Sequence, residues 1–171
     1  MRDGYYPHPY LREILMRTRT IAAVGVSLND VRPSFFVGRY LALRGYKIIP
    51  VNPAYAGKRA FGSKVVASLA DVGRTHGPIQ MVDIFRKSED AGRVVDEALD
   101  VLLERGLETI WMQIGVVSEA AAKRAEKKGV QVIMDLCPKM EHQRLWGELS
   151  RGGINTGVIS SKLMPMQFPG Y

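Results

Sequence analysis

The feature that most constrains this chain is a phrase used three times: a stretch with helical apolar spacing ends in a basic residue and a glycine, and a β-rich run follows at once. The three are Arg44-Gly45 before Tyr46-Lys47-Ile48-Ile49-Pro50-Val51, Arg105-Gly106 before Thr109-Ile110-Trp111-Met112, and Lys128-Gly129 before Val130-Gln131-Val132-Ile133-Met134. Glycine just past a helix takes the left-handed conformation, and Lys or Arg in the last turn complements the negative end of the helix dipole. Helix then strand, repeated, is the order from which parallel sheets are wound.

The strands are predicted at 21–26, 48–51, 81–85, 110–112 and 132–134, mostly apolar runs without strict alternation. Such strands are covered on both faces, which requires a parallel sheet between helices. With right-handed crossovers the result is an α/β, doubly wound, Rossmann-like single domain with helices on both faces. The clearest helix carries Ala91, Val94, Val95, Ala98, Leu99 and Leu102 after Ser88 as N-cap, with Glu89 and Asp90 in its first turn. A second opens at Ser118, a third follows Pro33-Ser34 and buries Val37, Tyr40 and Leu41, and an N-terminal helix is expected over 9–16. Residues 55–66, with Gly57 and Gly62, read as an irregular or short hairpin-like connection. The domain is expected to span 1–150, followed by an extended tail over 151–171.

A chain of 171 residues, 46% apolar and 24% charged, suits one core. No apolar run approaches the ~20 residues that span a bilayer, and the opening Met1-Arg2-Asp3-Gly4-Tyr5-Tyr6-Pro7 is not a secretory signal. The expectation is a cytoplasmic protein without membrane association. Cys137 is the sole cysteine, which excludes an intrachain disulfide and a thiolate cage within one chain. His8, His76 and His142 show no metal-ligand spacing. The net charge of +7 points to an anionic partner: nucleic acid, acidic lipid or a ligand with several phosphates. The basic residues are dispersed, however, and a solvated mixed surface explains most of them equally well.

In open parallel sheets, ligands collect outside the carboxyl ends of the strands. After the first strand comes Gly25-Val26-Ser27-Leu28-Asn29-Asp30-Val31-Arg32-Pro33-Ser34. The segment supplies a small residue for close backbone approach, side chains that turn or cap, and a helix start. Main-chain N–H groups and the positive dipole end there suit a phosphate, and Arg32 offers a bidentate contact. A plain strand-to-helix turn is the alternative. The loop lacks the second and third glycines of G-x-G-x-x-G, and the second strand runs into Asn52-Pro53 where a dinucleotide fold would place an acid. Nicotinamide dinucleotides are disfavoured, as are triphosphate hydrolases, because no Walker loop is present.

Together these residues resemble the CoA-binding proteins related to the nucleotide-binding domain of the succinyl-CoA synthetase α subunit. The resemblance runs from about Leu11 to Leu145 and is carried by Ala23-Val24-Gly25-Val26-Ser27 with Arg32-Pro33-Ser34, by Gly45 to Pro53, by Val82-Asp83-Ile84-Phe85-Arg86, by Trp111-Met112-Gln113-Ile114-Gly115, and by Met134-Asp135-Leu136-Cys137-Pro138-Lys139. It implies coenzyme A or acyl-CoA as ligand, with Gly25, Ser27 and Arg32 at the pyrophosphate and Asn52 and Pro53 beside the nucleotide. Phe85 and Arg86 would lie near the adenine, and Lys58 or Arg59 would reach the 3′-phosphate. With roughly four negative charges, CoA suits a basic mouth.

Each residue also has a structural reading. Pro53 ends a strand, Phe85 fills a core, Arg86 is a solvated strand end, and Gln113 either bonds the ligand or satisfies a neighbouring carbonyl. Cys137 is either a thiol that exchanges disulfides with CoA or acts on a thioester, or a small buried hydrophobe, the reading favoured here. Larger relatives carry a ligase domain with a phosphorylated His that this sequence lacks, so a non-catalytic binding role ranks first. A Cys137 enzyme ranks second, and a nucleotide- or nucleic-acid-associated protein last. A protein partner or a second copy is expected, if anywhere, at the tail segment Met164-Pro165-Met166-Gln167-Phe168.

Overall fold

The computed structural model describes residues 6–147; the expected tail over 151–171 lies outside them. In chain order the elements are α1 (His8–Arg17), β1 (Thr20–Val24), α2 (Pro33–Leu43), β2 (Lys47–Val51), β3 (Arg59–Ala60), β4 (Ser63–Lys64), α3 (Leu69–Thr75), β5 (Met81–Ile84), α4 (Ser88–Leu102), β6 (Thr109–Met112), α5 (Glu119–Lys127), β7 (Gln131–Ile133) and α6 (Pro138–Trp146). The repeated glycines do what their positions predict: Gly45, Gly106 and Gly129 have φ of 93°, 88° and 81°.

Five strands form one parallel sheet in the order β2-β1-β5-β6-β7. Outside β2, Val66 makes a single parallel bridge to Val51, with Asn52 N–H donating to Val66 O (2.9 Å) and Val66 N–H to Pro50 O (3.0 Å). Pro50 is tolerated in a strand because its nitrogen faces this nearly unpaired side. Counted as a shortened strand, the bridge completes the 3-2-1-4-5-6 order of the doubly wound fold.

Alternation along each strand divides the interior. Ala22, Val24, Val82, Ile84, Ile110 and Met112 pack under α3, α4 and α5. Ile21, Ala23, Met81, Trp111 and Ile133 pack on the opposite face under α1, α2 and α6. The expected helices all form, and two more are present. The short α3 is set by a capping box, in which Ser68 Oγ accepts from Asp71 N–H and the Asp71 carboxylate accepts from Ser68 N–H. Helix α6 buries a proline, a glutamate and a histidine toward its neighbours, so its apolar period is faint. Ser88 does not cap α4 as expected. Its hydroxyl donates instead to Gly115 O (3.1 Å) and accepts from Val117 N–H (2.9 Å).

The connection over 55–66 is the expected hairpin, β3 pairing antiparallel with β4. Its tip residue Phe61 has φ of 52°, a conformation a bulky residue avoids. The ring is held against α2 at Gly38, where a Cβ would sit 2.7 Å from it, and packs on Phe35 at 5.3 Å between centroids. Gly38→Ala is expected to lower stability by about 1–3 kcal/mol through this overlap. Gly92→Ala in α4, whose Cβ would meet only Arg124 Nη2 at an ordinary 3.7 Å, is expected to raise it by about 0.4–1 kcal/mol. Denaturant midpoints of the two variants check this opposition.

Candidate functional site

The chain leaves β1 to form β2 on one side and returns across it to form β5 on the other. The strand order therefore reverses between β1 and β5, which is where doubly wound sheets open a crevice at their carboxyl ends. Gly25 leaves β1 there with φ of 87° and donates its N–H to Val51 O (2.8 Å), while Phe85 N–H donates to Val24 O (2.8 Å). A Cβ at Gly25 would lie 2.9 Å from Arg86 Nε and 3.1 Å from Phe85 O. Only glycine has both the conformation and the room.

The loop from Gly25 to Ser34 is held by its own short side chains. Ser27 N–H donates to Ser34 Oγ (3.0 Å), Asn29 N–H to Ser27 Oγ (3.1 Å), Val31 N–H to Asn29 Oδ1 (3.1 Å) and Arg32 N–H to Asn29 O (3.1 Å). Asn52 braces it from β2, its amide nitrogen donating to Val26 O (2.8 Å) while its oxygen accepts from Ala54 N–H (3.1 Å). With these bonds made, the N–H groups of Val26, Leu28, Asp30 and Ser34 donate to no protein atom among the described residues. Pro33 occupies the first turn of α2, where its missing N–H costs nothing. Exposed Arg32, at the N-cap, has no ion pair among the described residues. Main-chain donors without protein acceptors at a helix start, beside a guanidinium with no ion pair among the described residues, are a donor set of the kind that suits an anion.

Behind the loop, on the α3/α4 side, lies a cavity of about 460 Å³. Its walls are Val24, Val51, Leu69 and Val94, with Pro53, Arg86 and Arg93 at the polar edge. Glu97 closes one end, accepting N–H bonds from Leu69 (3.0 Å) and Ala70 (3.3 Å). The start of α3 is thus filled by a protein carboxylate, whereas that of α2 is not. Of the sequence-predicted residues, Gly25, Val26, Ser27, Arg32, Pro33, Ser34, Asn52, Pro53, Phe85, Arg86 and Gln113 gather at this edge of the sheet. Lys58 and Arg59 sit on the exposed hairpin, Lys58 Nζ 5.6 Å from the Tyr55 ring and Arg59 Nη2 donating to Gly62 O (3.3 Å). Sequence reading missed Leu69, Arg93, Val94 and Glu97. The i, i+3, i+4, i+7 stripe Asp90, Arg93, Val94, Glu97 on α4 was the available signal.

Gln113 has a protein partner: its amide nitrogen donates to both carboxyl oxygens of Asp83, at 2.9 and 3.0 Å. Asp83 is fully buried near the end of β5, and burial pushes its pKa up to about 8, against the opposing effect of the Gln113 hydrogen bond. Burial likewise pushes the Cys137 thiol up to about 11. Asp135, Glu141 and His142, neighbours in sequence, go to separate partners. Asp135 Oδ1 accepts from Gly115 N–H (2.6 Å), Glu141 pairs with Arg144 Nε (3.1 Å), and His142 Nδ1 bonds the Tyr40 hydroxyl (2.9 Å). Among the described residues no three His, Cys, Asp or Glu gather as metal ligands, and no helix is long and apolar enough to cross a membrane.

The doubly wound parallel sheet, with helices on both faces, places the molecule among the Rossmann-like α/β folds. More narrowly, the CoA binding domain family matches residues 19–143, and the chain belongs to that family. The uncharacterized protein YneT of Bacillus subtilis (strain 168) is 41% identical over 132 residues, 77% of this chain and 91% of YneT. The structure of cell-free ID.343 from Thermus thermophilus shares 32% identity at a TM-score of 0.74, covering 82% of this chain and all of the other. A hypothetical protein from Pyrococcus horikoshii OT3 shares 30% at a TM-score of 0.74, covering 85% of this chain and 96% of its own.

Asp83 sets a pH dependence. Its pKa is raised in the fold, so the unfolded chain loses this proton near pH 4 while the folded chain keeps it to about pH 8. At this group the native state binds more protons through that window, so its contribution to stability falls as pH rises from 4 to 8, against the opposite contribution of His142, whose pKa burial lowers to about 4. Asp83→Asn, isosteric and uncharged, is expected to flatten that fall, gaining on the parent by roughly a few kcal/mol at pH 8 relative to pH 5. Urea midpoints of both proteins at the two pH values measure it.

Proposed function

We propose that this protein binds coenzyme A or its acyl thioesters as a non-catalytic module, with the ligand's phosphates on the loop from Gly25 to Ser34. The observation that carries the reading is the set of four main-chain N–H groups, at Val26, Leu28, Asp30 and Ser34, that find no acceptor among the described residues, beside Arg32, which has no ion pair among them. Amides already ordered by Ser27, Asn29 and Asn52 bind an anion without reorganising, which is how a preorganised site gains affinity. The pyrophosphate sits on the loop, and Arg86, lying over Gly25, closes from the other side. The cavity's volume is within the range of small-ligand pockets, and its apolar patch of Val24, Val51, Leu69 and Val94, beside the Arg93–Asp90 ion pair, suits the adenine end. Lys58 and Arg59 on the hairpin attract the 3′-phosphate. Gln113, whose carbonyl oxygen accepts no bond from the described residues, receives an amide N–H of the pantetheine arm.

Membership of the CoA binding domain family supports the ligand class. The state of Cys137 supports a binding role over thiol chemistry: a thiol raised to about 11 and 7% exposed offers little thiolate at neutral pH.

Titration calorimetry is expected to show CoA binding that weakens with added salt. Arg32→Ala should loosen it about tenfold or more, the size of a charge-assisted hydrogen bond, and dephospho-CoA should bind less tightly than CoA. Equal binding of CoA by the Arg32→Ala and parent proteins would remove the phosphate assignment. For the thiol, iodoacetamide at pH 7.5 is expected to leave native Cys137 unlabelled while labelling it in denaturant; rapid native labelling, or a mixed disulfide formed with CoA disulfide, would restore the catalytic reading.

A further inference from the structure

The loop after β6 is built with unusual care for a surface turn. Ser88 gives up the cap of its own helix, a role worth about 1 kcal/mol, to hold Gly115 O and Val117 N–H. From the other side Asp135 holds Gly115 N–H at 2.6 Å, and Asp135 does so with φ of 56°, in the left-handed region. Gly115 is itself at φ of 78°, and Val116 N–H closes the turn on Gln113 O at 2.8 Å. Three loops at the sheet's carboxyl edge, after β5, β6 and β7, are thereby tied into one rigid rim. What the loop after β6 displays is apolar, Ile114 being 58% exposed and Val117 43%, with exposed Lys87 and Asp135 flanking it on the neighbouring loops. Core packing does not explain a backbone locked at this cost in order to present two aliphatic side chains to water. Strained, over-determined loops of this kind cluster at ligand sites.

We propose that Ile114 and Val117 form the seat for the acyl group of an acyl-CoA thioester, so that the physiological ligand class is an aliphatic acyl-CoA and not the free thiol. The inference rests on the CoA reading above. In that reading the adenine lies beside β2 and β1 and the diphosphate at the start of α2. The pantetheine arm then leads away across β5 and β6, strands ~4.8 Å apart, and carries the thioester toward the loop after β6. Ile114 immediately follows Gln113, the residue assigned to the arm, so the seat continues the same track. The loop after β6 holds no charged side chain between Gln113 and Ser118, and the Asp135 carboxylate beside it disfavours a second anion there, which suits a hydrocarbon.

Titration calorimetry with CoA, acetyl-CoA and butyryl-CoA tests it on the intact chain. Each methylene fully removed from water strengthens binding about fourfold. Butyryl-CoA is therefore expected to bind five- to fifteenfold more tightly than acetyl-CoA. Ile114→Ser, at an exposed position that the core does not use, should abolish most of that difference and leave the affinity for free CoA within twofold. Ser88→Ala, which frees the loop, should reduce the butyryl advantage in the same direction. Equal affinities for CoA and butyryl-CoA, or an Ile114→Ser protein that keeps the full advantage, would overturn the acyl seat while the CoA site stands. No binding of any of the three would overturn the CoA reading and the seat together.

Discussion

The pairing of β1 with β2 on one side and β5 on the other is the constraint on which the rest depends. Ala23 lies opposite Pro50 and Asp83, and Val24 opposite Val51 and Ile84, so a slip of one residue would exchange the faces on which every side chain of β1 packs. The register also sets where β1 ends. Gly25 N–H still completes the ladder to Val51 O, and the following N–H, at Val26, finds no partner among the described residues. The proposed phosphate site thus begins one residue beyond the last bond of the sheet.

That placement explains why two helix starts at the same edge behave differently. The start of α2 keeps its donors because its short side chains are used up on one another: Ser34 takes Ser27 N–H, Ser27 takes Asn29 N–H, and Asn29 takes Val31 N–H. The start of α3 is instead satisfied by Glu97 from the neighbouring helix and by its own capping box. A carboxylate already occupies the place an anion would take. A net positive charge acts over the whole surface and favours polyanions without choosing a site; in the proposed reading the choice comes from the amides left without partners among the described residues.

Much of this was legible in the sequence. The glycines at 45, 106 and 129 stood where left-handed caps had to be, and the apolar runs of β1, β2, β5, β6 and β7 required cover on both faces. The hairpin over 55–66 was announced by Gly57 and Gly62. What escaped was whatever depended on contacts between distant segments. Helix α6 buries Glu141, paired with Arg144, and His142, whose Nδ1 bonds the Tyr40 hydroxyl while its Nε2 stays unbonded among the described residues, so polar letters hid a packed face. Ser88 read as an N-cap because local spacing favoured one, and a tertiary bond to the loop after β6 took its hydroxyl away. The cavity wall on α4 was missed for the same reason, since only the fold brings Val94 and Glu97 against Leu69.

Asp83 and Cys137 show how the family's motif residues divide between ligand and framework. Both lie in motif segments, yet both are buried on the face under α1, α2 and α6 with their charged forms disfavoured. Asp83, neutral at pH 7, accepts at both carboxyl oxygens from the Gln113 amide nitrogen, which leaves the Gln113 carbonyl oxygen without a donor among the described residues. The pair links the ends of β5 and β6 beyond their backbone ladder. Phe85 and Arg86 leave one strand and Ile114 to Val117 leave the other, so this hydrogen bond lies at the root of both halves of the rim.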